Sequence, residues 1–239
     1  MKYMGSKSRI ARHIVPIIQN YIDHSGAAAY IEPFVGGANV IDKISAPSKR
    51  GTDINPYLIA LLSHVQSGGA LPDSVSFDQY SAVRADKGRF PAWYVGCVGF
   101  LASYNGRFFD GGYSGTVLTK TGLVRDYFAE ARRNIGNQHL QGIDFACKDY
   151  REYGSPENCV IYCDPPYAGT KRYSNSGSFD YAEFWETARR LSVKNIVLVS
   201  ENAAPDDFAC IWEQPILRTV DNKQRLRAVE RLFMYRRRG

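Results

Sequence analysis

Short runs of β-branched and aromatic residues alternate along this chain with longer stretches whose apolar residues recur three and four positions apart. The pattern predicts strands interleaved with helices. After Gly5 and Ser6, Ile10, Ile14, Ile17 and Ile18 share one helical face, interrupted by Pro16. From Ala28 to Ile41 come a short strand, a proline at position 33, and the pair Gly36-Gly37 opening a helix. A second short strand ends in Asp53. Asp53 and Asn55 then precede a helix from Pro56 to Val65, whose proline sits at the helix start, where its missing N–H is no loss.

Beyond Gln66-Ser67-Gly68-Gly69 the strand alternation gives way to helical pieces and glycine-rich loops that interleave bases with aromatics. One helix is expected from about Pro91 to Tyr104, stopping at Asn105-Gly106, and another from about Leu123 to Ile135 carrying Arg125, Arg132 and Arg133. Strand texture returns at Ile143 to Cys147, with Asp149 just past its end, and again at Asn158 to Asp164. Asp180 and Glu183 form a capping-box pattern for a helix whose Tyr181, Phe184, Trp185, Ala188 and Leu191 keep helical spacing. Asn195 to Ser200 is a buried strand. Phe208 to Trp212 and about Val229 to Tyr235 are two final strands, with a basic loop between them holding Arg218, Lys223, Arg225 and Arg227. The expected fold class is therefore α/β: a mostly parallel, Rossmann-like sheet built from residues 1–68 and 142–239, with a smaller helical domain, 69–141, inserted.

At 239 residues, 44% of them hydrophobic, the chain can bury a sizeable core. Thirty Lys and Arg against 24 acids give +6, which points toward a polyanionic partner, and sixteen Tyr supply stacking platforms for bases as well as core rings. The five cysteines are odd in number and lie mostly in apolar runs, as free thiols of a reducing, cytoplasmic compartment do. No metal is expected: the histidines are scattered, and a strand would hold Cys159 and Cys163 apart. No leader opens the chain and no apolar run approaches the ~20 residues that span a bilayer, so no membrane association is expected. A monomer is the favoured state.

The chemistry concentrates at Val160 to Tyr167, where an apolar strand ends in Asp164-Pro165-Pro166-Tyr167. Two prolines stiffen the exit at the carboxyl end of a strand, the place where open α/β sheets bind ligands. Such a set suits a planar ring with an exocyclic amine. Asp164 accepts one amino hydrogen, the Pro165 carbonyl the other, and Tyr167 stacks on the ring, so the nitrogen lone pair turns toward an electrophile. A proline-stiffened turn whose tyrosine caps a core is the competing reading. Gly36 and Gly37 allow close backbone approach to a ligand, and Asp53 stands near the offset (roughly 20 residues) at which an acid takes ribose hydroxyls. The pattern is not Gly-x-Gly-x-x-Gly, so a nicotinamide dinucleotide is poorly supported. A cationic loop at Lys7 could hold a carboxylate, and Lys171-Arg172 begins a basic loop able to close over a site.

Taken together, the chain resembles the Dam-like DNA adenine N6-methyltransferases. The resemblance rests on Tyr3-Met4-Gly5-Ser6-Lys7, Glu32-Pro33-Phe34-Val35-Gly36-Gly37-Ala38, Thr52-Asp53-Ile54-Asn55, Tyr104-Asn105-Gly106, Cys163-Asp164-Pro165-Pro166-Tyr167 and, more loosely, Leu198-Val199-Ser200-Glu201-Asn202. It implies a methyltransferase sheet in which Tyr3, Lys7, Asp53 and Asp164 contact S-adenosylmethionine, with Glu32, Phe34, Gly36, Gly37, Asn39 and Asp149 around it. It also implies that the catalytic set Asp164, Pro165, Pro166 and Tyr167 holds a flipped adenine, and that the insertion reads double-stranded DNA. Tyr104, Asn105, Arg107, Tyr113, Arg125, Lys171 and Arg172 are the expected DNA contacts. Phe108 and Phe109 either fill the gap left by a flipped base or glue the insertion to the main domain. Members that methylate GATC carry a longer pattern after Tyr-Asn-Gly than Arg107-Phe108-Phe109-Asp110-Gly111-Gly112, so the resemblance does not extend to that target. Cytosine N4, RNA or a glutamine amide as acceptor, and a DNA-binding relative without activity, are the alternatives.

Overall fold

The computed structural model describes residues 1–3, 5–119, 121–167, 179–219 and 225–236, and the side chains of all of these except 217–219 and 225–228. In chain order the elements begin with α1 (Ala11–Ser25), β1 (Ala29–Glu32), β2 (Lys49–Asp53), α2 (Pro56–Gln66), α3 (Phe77–Ala85) and α4 (Ala92–Gly96). The short strands β3 (Thr116–Leu118) and β4 (Val124–Asp126) and helix α5 (Tyr127–Gly136) follow. Then come β5 (Ile143–Cys147), β6 (Cys159–Cys163), α6 (Tyr181–Ser192), β7 (Ile196–Glu201), β8 (Phe208–Thr219) and β9 (Arg225–Tyr235).

Seven strands make one sheet in the order β5-β2-β1-β6-β7-β9-β8. The first five are parallel, and β9 runs antiparallel to both β7 and β8. The chain works outward through β1, β2 and β5, then returns to place β6 on the other side of β1. The strand order reverses at the β1/β6 pair, which is the point where a doubly wound sheet opens a crevice at its carboxyl ends.

Alternate residues of the central strands feed two cores. Tyr30, Val160, Tyr162 and Leu198 face the side covered by Ile14 and Ile18 of α1 and Leu58, Leu61 and Leu62 of α2. Ile31, Ile161, Cys163, Val197 and Val199 face Phe184, Trp185, Ala188 and Leu191 of α6. Both faces of β6 are thus dry, and all five of its residues are buried. Burial pushes the Cys97 thiol up to about 12, as for an inert core residue. Among the described residues no helix is long and apolar enough to cross a membrane.

Several local expectations need correction. α1 runs through Pro16, which lies on its exposed face. The glycine pair opens turns rather than a helix, because Gly36 (φ 47°) and Ala38 (φ 54°) both take left-handed angles. The helix expected from Pro91 to Tyr104 is α4, which continues as a π turn over Cys97–Leu101 and ends there. The helix expected from Leu123 begins only at Tyr127; the residues before it form β4, paired antiparallel with β3. β8 and β9 are longer than expected, so Arg218, Arg225 and Arg227 lie on strands rather than in a loop, whereas Lys223 lies outside the described residues.

Residues 69–141 share their interior with α1 and α2: Tyr80, Val83, Val95, Val98, Phe100, Leu101 and Ile135 belong to the same buried cluster. Gly96 makes this possible, since a Cβ there would collide with the Tyr57 carbonyl of α2. α3 is held at its start by a full capping box between Ser76 and Gln79.

Candidate active site

At the switch point, Asp164 leaves β6 half-buried, followed by a buried Pro165 and an exposed Pro166. Lys7 comes to it from the other end of the chain, on a single 3-10 turn, Lys7–Arg9, capped by the Ser6 hydroxyl. Only 6% of Lys7 is exposed. Its Nζ lies 2.9 Å from Asp164 Oδ1 and 3.5 Å from Glu230 Oε2, and it donates to the Tyr167 hydroxyl at 2.5 Å. That hydroxyl in turn donates to Glu230 Oε2 at 2.7 Å, closing a four-residue cluster. Burial first, and then the neighbouring carboxylates Asp164 and Glu230, hold the Tyr167 phenol protonated well above its ordinary range. Lys7 Nζ also lies 4.1 Å from the Tyr167 ring centroid, on the hydroxyl side of the ring. Past the prolines, Tyr181 donates to the Pro166 carbonyl at 2.9 Å, tying the motif's exit to the start of α6.

Beside this cluster lies the glycine turn. Asp53, at the end of β2, accepts from the Gly36 N–H at 3.2 Å and the Asn55 N–H at 3.0 Å. Burial pushes its carboxyl up to about 6 against those two opposing hydrogen bonds. The Tyr3 ring lies over the turn so closely that a Cβ on Gly36 would stand 3.1 Å from it. Asn39 donates to the Met1 carbonyl and the Ser6 hydroxyl, both at 2.9 Å, so it fastens the segment that carries Tyr3 and Lys7. Glu32 is buried at the end of β1 and accepts from Tyr30 at 2.6 Å. Burial pushes Glu32 up to about 8, with the Tyr30 bond opposing and Asp164 adding to the shift, so it is largely uncharged near neutral pH. Phe34 is half-buried among Tyr150, Phe179 and Phe184. Asp149 caps the turn Tyr150–Glu152, and Arg151 at 2.8 Å holds its carboxyl below the usual range. The ends of β1, β2, β5 and β6 thus bring Glu32, Asp53, Asp149 and Asp164 to one edge of the sheet.

Five of the seven expected DNA contacts lie within residues 69–141. Tyr104 is exposed, as is Asn105, which takes a left-handed φ of 56°. Arg107 is half-buried, and its Nε is enclosed without a hydrogen-bond partner. Phe108 and Phe109 turn inward and do not present themselves to a base gap: Phe108 stacks on Tyr57 of α2 and packs on Phe100, joining residues 69–141 to α2, whereas Phe109 is 5% exposed and packs on Tyr80 and Phe108 within that segment. Tyr113 donates to the Val75 carbonyl at 2.6 Å. Arg125 grips Glu130 with two hydrogen bonds on an exposed surface. Lys171 and Arg172 lie outside the described residues.

Two residues of the site were not anticipated. Gln138 donates to the carbonyls of Gly37 and Ala38 at 2.9 and 3.0 Å, fixing the glycine turn from just beyond α5. Glu230 is a buried acid on β9, and the available signal was a charge at the same strand parity as the apolar Leu232.

A reversed, mostly parallel strand order, a glycine turn and acids at successive carboxyl ends are together the features of a Rossmann-like ligand site. A family model described as D12 class N6 adenine-specific DNA methyltransferase matches residues 3–78 and 98–198. The chain belongs to that family. It is 21% identical over 224 residues to the Type II methyltransferase M.FokI of Planomicrobium okeanokoites, covering 82% of this chain and 33% of that protein. This chain therefore spans about a third of that relative's length. Among solved structures it is similar to the rRNA methyltransferase aviRa from Streptomyces viridochromogenes (TM-score 0.42, 11% identity, 96% of this chain and 84% of that one). It is also similar to precorrin 8W decarboxylase of Methanobacterium thermoautotrophicum (TM-score 0.36, 10% identity, 92% and 88%).

Proposed function

We propose that this chain is a site-specific DNA adenine N6-methyltransferase that moves a methyl group from S-adenosylmethionine to an adenine extruded from duplex DNA. The observation that carries the reading is the position of Asp164-Pro165-Pro166-Tyr167. It sits at the strand-order reversal, gripped by Lys7 and flanked by the glycine turn with Asp53.

The residues fit the cofactor. A Cβ on Gly37 would stand 2.7 Å from Asn39 Nδ2, so the turn has no room for side chains and presents bare backbone. Asp53 would take the ribose hydroxyls, Tyr3 and Lys7 would line the amino-acid end, and Glu32, Phe34, Gly36, Asn39 and Asp149 would surround them. When bound, S-adenosylmethionine supplies an intrinsically electrophilic methyl group, so the protein has mainly to align and shield.

Asp164 accepts one hydrogen of the target amine and the Pro165 carbonyl the other. This turns the nitrogen lone pair out of the ring plane toward the methyl, and Pro166 keeps the two acceptors rigid. Adenine stacks on the Tyr167 ring. Asp164, already accepting an amino hydrogen, is placed to take the proton the nitrogen sheds as the new bond forms. Because Glu32 is largely uncharged near neutral pH, Asp164 stands beside Lys7 without a second charged carboxylate at the end of β1.

An adenine inside a duplex cannot reach this depth, so it must leave the stack. Residues 69–141, through Tyr104, Asn105, Arg107, Tyr113 and Arg125, read the surrounding sequence. The partner is duplex DNA, and the working form is a monomer in the cytoplasm. Sequencing of methylated bases in DNA from cells expressing the protein tests the reading. N6-methyladenine in one short motif is expected; N4-methylcytosine, or no new modification, would refute it.

A further inference from the structure

Glu230 stands outside every motif that identifies this family, yet it touches the centre of the site. It lies on β9, opposite Gln214 of β8, and is 5% exposed. The same carboxylate oxygen accepts the Tyr167 hydroxyl at 2.7 Å and lies 3.5 Å from Lys7 Nζ. A buried carboxylate contributes little net stability, because desolvation offsets most of its pairing. What it does provide is geometry. Tyr167 follows two prolines on a short exit from β6, and its ring is tethered at the hydroxyl by groups from two remote parts of the chain. Lys7 and Glu230 together fix the ring's tilt, and Lys7 is shared with Asp164, so a shift of Glu230 would move both the stacking surface and the amine acceptor.

We propose that Glu230 is a positioning residue for methyl transfer, acting through the Tyr167 hydroxyl and Lys7 to hold Tyr167 and Asp164 in register for the target adenine. The proposal rests on the methyltransferase reading. Positions of the Asp-Pro-Pro-Tyr motif that are displaced by about 1 Å are expected to lose about a hundredfold in rate.

The test is a double-mutant cycle of E230A with Y167F, read both as urea-unfolding stability and as single-turnover methyl transfer to duplex DNA. E230A is expected to lower the transfer rate by about thirtyfold or more while S-adenosylmethionine affinity changes by less than about fivefold. On the Y167F background the same substitution is expected to cost less than about threefold further, and the stability effects are expected to be non-additive. E230Q, whose amide oxygen can still accept from Tyr167, should recover part of the rate. It also serves in the cycle should E230A not fold. Wild-type transfer is measured first: none onto adenine refutes the methyltransferase reading, while the stability cycle still decides whether Glu230 holds Tyr167. Additive stabilities, or an active wild type with both Glu230 variants within threefold of it, overturn the proposal.

Discussion

Replacing Lys7 by methionine would separate the electrostatic role of this residue from its packing. The thioether fills a similar stem, but Asp164 and Glu230 then face each other across a site in which Lys7 was their shared cation, 2.9 and 3.5 Å away. Removing one partner from a buried ion pair costs roughly 3–5 kcal/mol, and the residual 19% exposure of the Asp164 side chain places this case near the lower end, about 3 kcal/mol. For a chain of this size each kcal/mol moves the melting temperature by about 2–4 °C, so a fall of roughly 6–12 °C is predicted. The sign with pH follows from two carboxylates that have lost their shared cation. Burial and mutual repulsion raise their folded-state pKa values in the variant, so the deficit is small near about pH 4, where they take up protons, and full near about pH 8. Urea unfolding followed by tryptophan fluorescence at both pH values measures it. A variant as stable as wild type at the higher pH, or a deficit that ignores pH, would refute the reasoning.

Three further outcomes are expected. Because the Asp53 carboxyl is pushed up to about 6, its ionised fraction grows through that pH, so S-adenosylmethionine affinity should rise through pH 6 in wild type and stay flat in Asp53→Asn, as calorimetry would show. Glu32, pushed up to about 8, holds a proton when folded that the unfolded chain releases above the ordinary carboxylate range. Wild type therefore loses stability on the order of a few kcal/mol as pH climbs toward 8, and Glu32→Gln should flatten that slope in denaturation experiments. Arg107→Ala should broaden the methylated motif at one base pair, a loss of ~1–3 kcal/mol of discrimination, with cofactor affinity unchanged; uniformly weaker DNA binding with an intact motif would assign Arg107 to the phosphates instead.

What was legible in the sequence was local. Two prolines after an acid restrict the backbone whatever surrounds them, and paired glycines permit close approach wherever they occur, so the end of β6, the glycine turn and Asp53 could be located from neighbouring residues alone. The parallel order followed from strands separated by helices. The cluster around Lys7 was only partly legible: Lys7 and Tyr167 lie 160 positions apart, Tyr167 and Glu230 63, and nothing in the spacing says which acid of a β-strand turns inward onto a phenol. Gln138 was hidden for the same reason, 101 positions from Gly37. The β3–β4 ribbon escaped because Leu118, Leu123 and Val124 are 72%, 68% and 72% exposed, so their apolar character mimicked a helix face that faces no core. The early end of α4 depends on tertiary packing, with Gly99 pressed against Phe108 and Phe109, which no local rule encodes.

The most direct measurement is transfer of a tritium-labelled methyl group to duplex DNA by wild type and by Asp164→Ala, with the labelled nucleoside identified after digestion. Lys7 has Glu230 at 3.5 Å and the Tyr167 hydroxyl at 2.5 Å in the wild-type structure, so in the variant it retains two partners and the fold should survive while the target amine loses its charged acceptor. The account predicts label on adenine N6 with wild type and loss of transfer well beyond tenfold with Asp164→Ala. Activity of the variant within tenfold of wild type, only about 1.4 kcal/mol of barrier, or label on any other base, would contradict it.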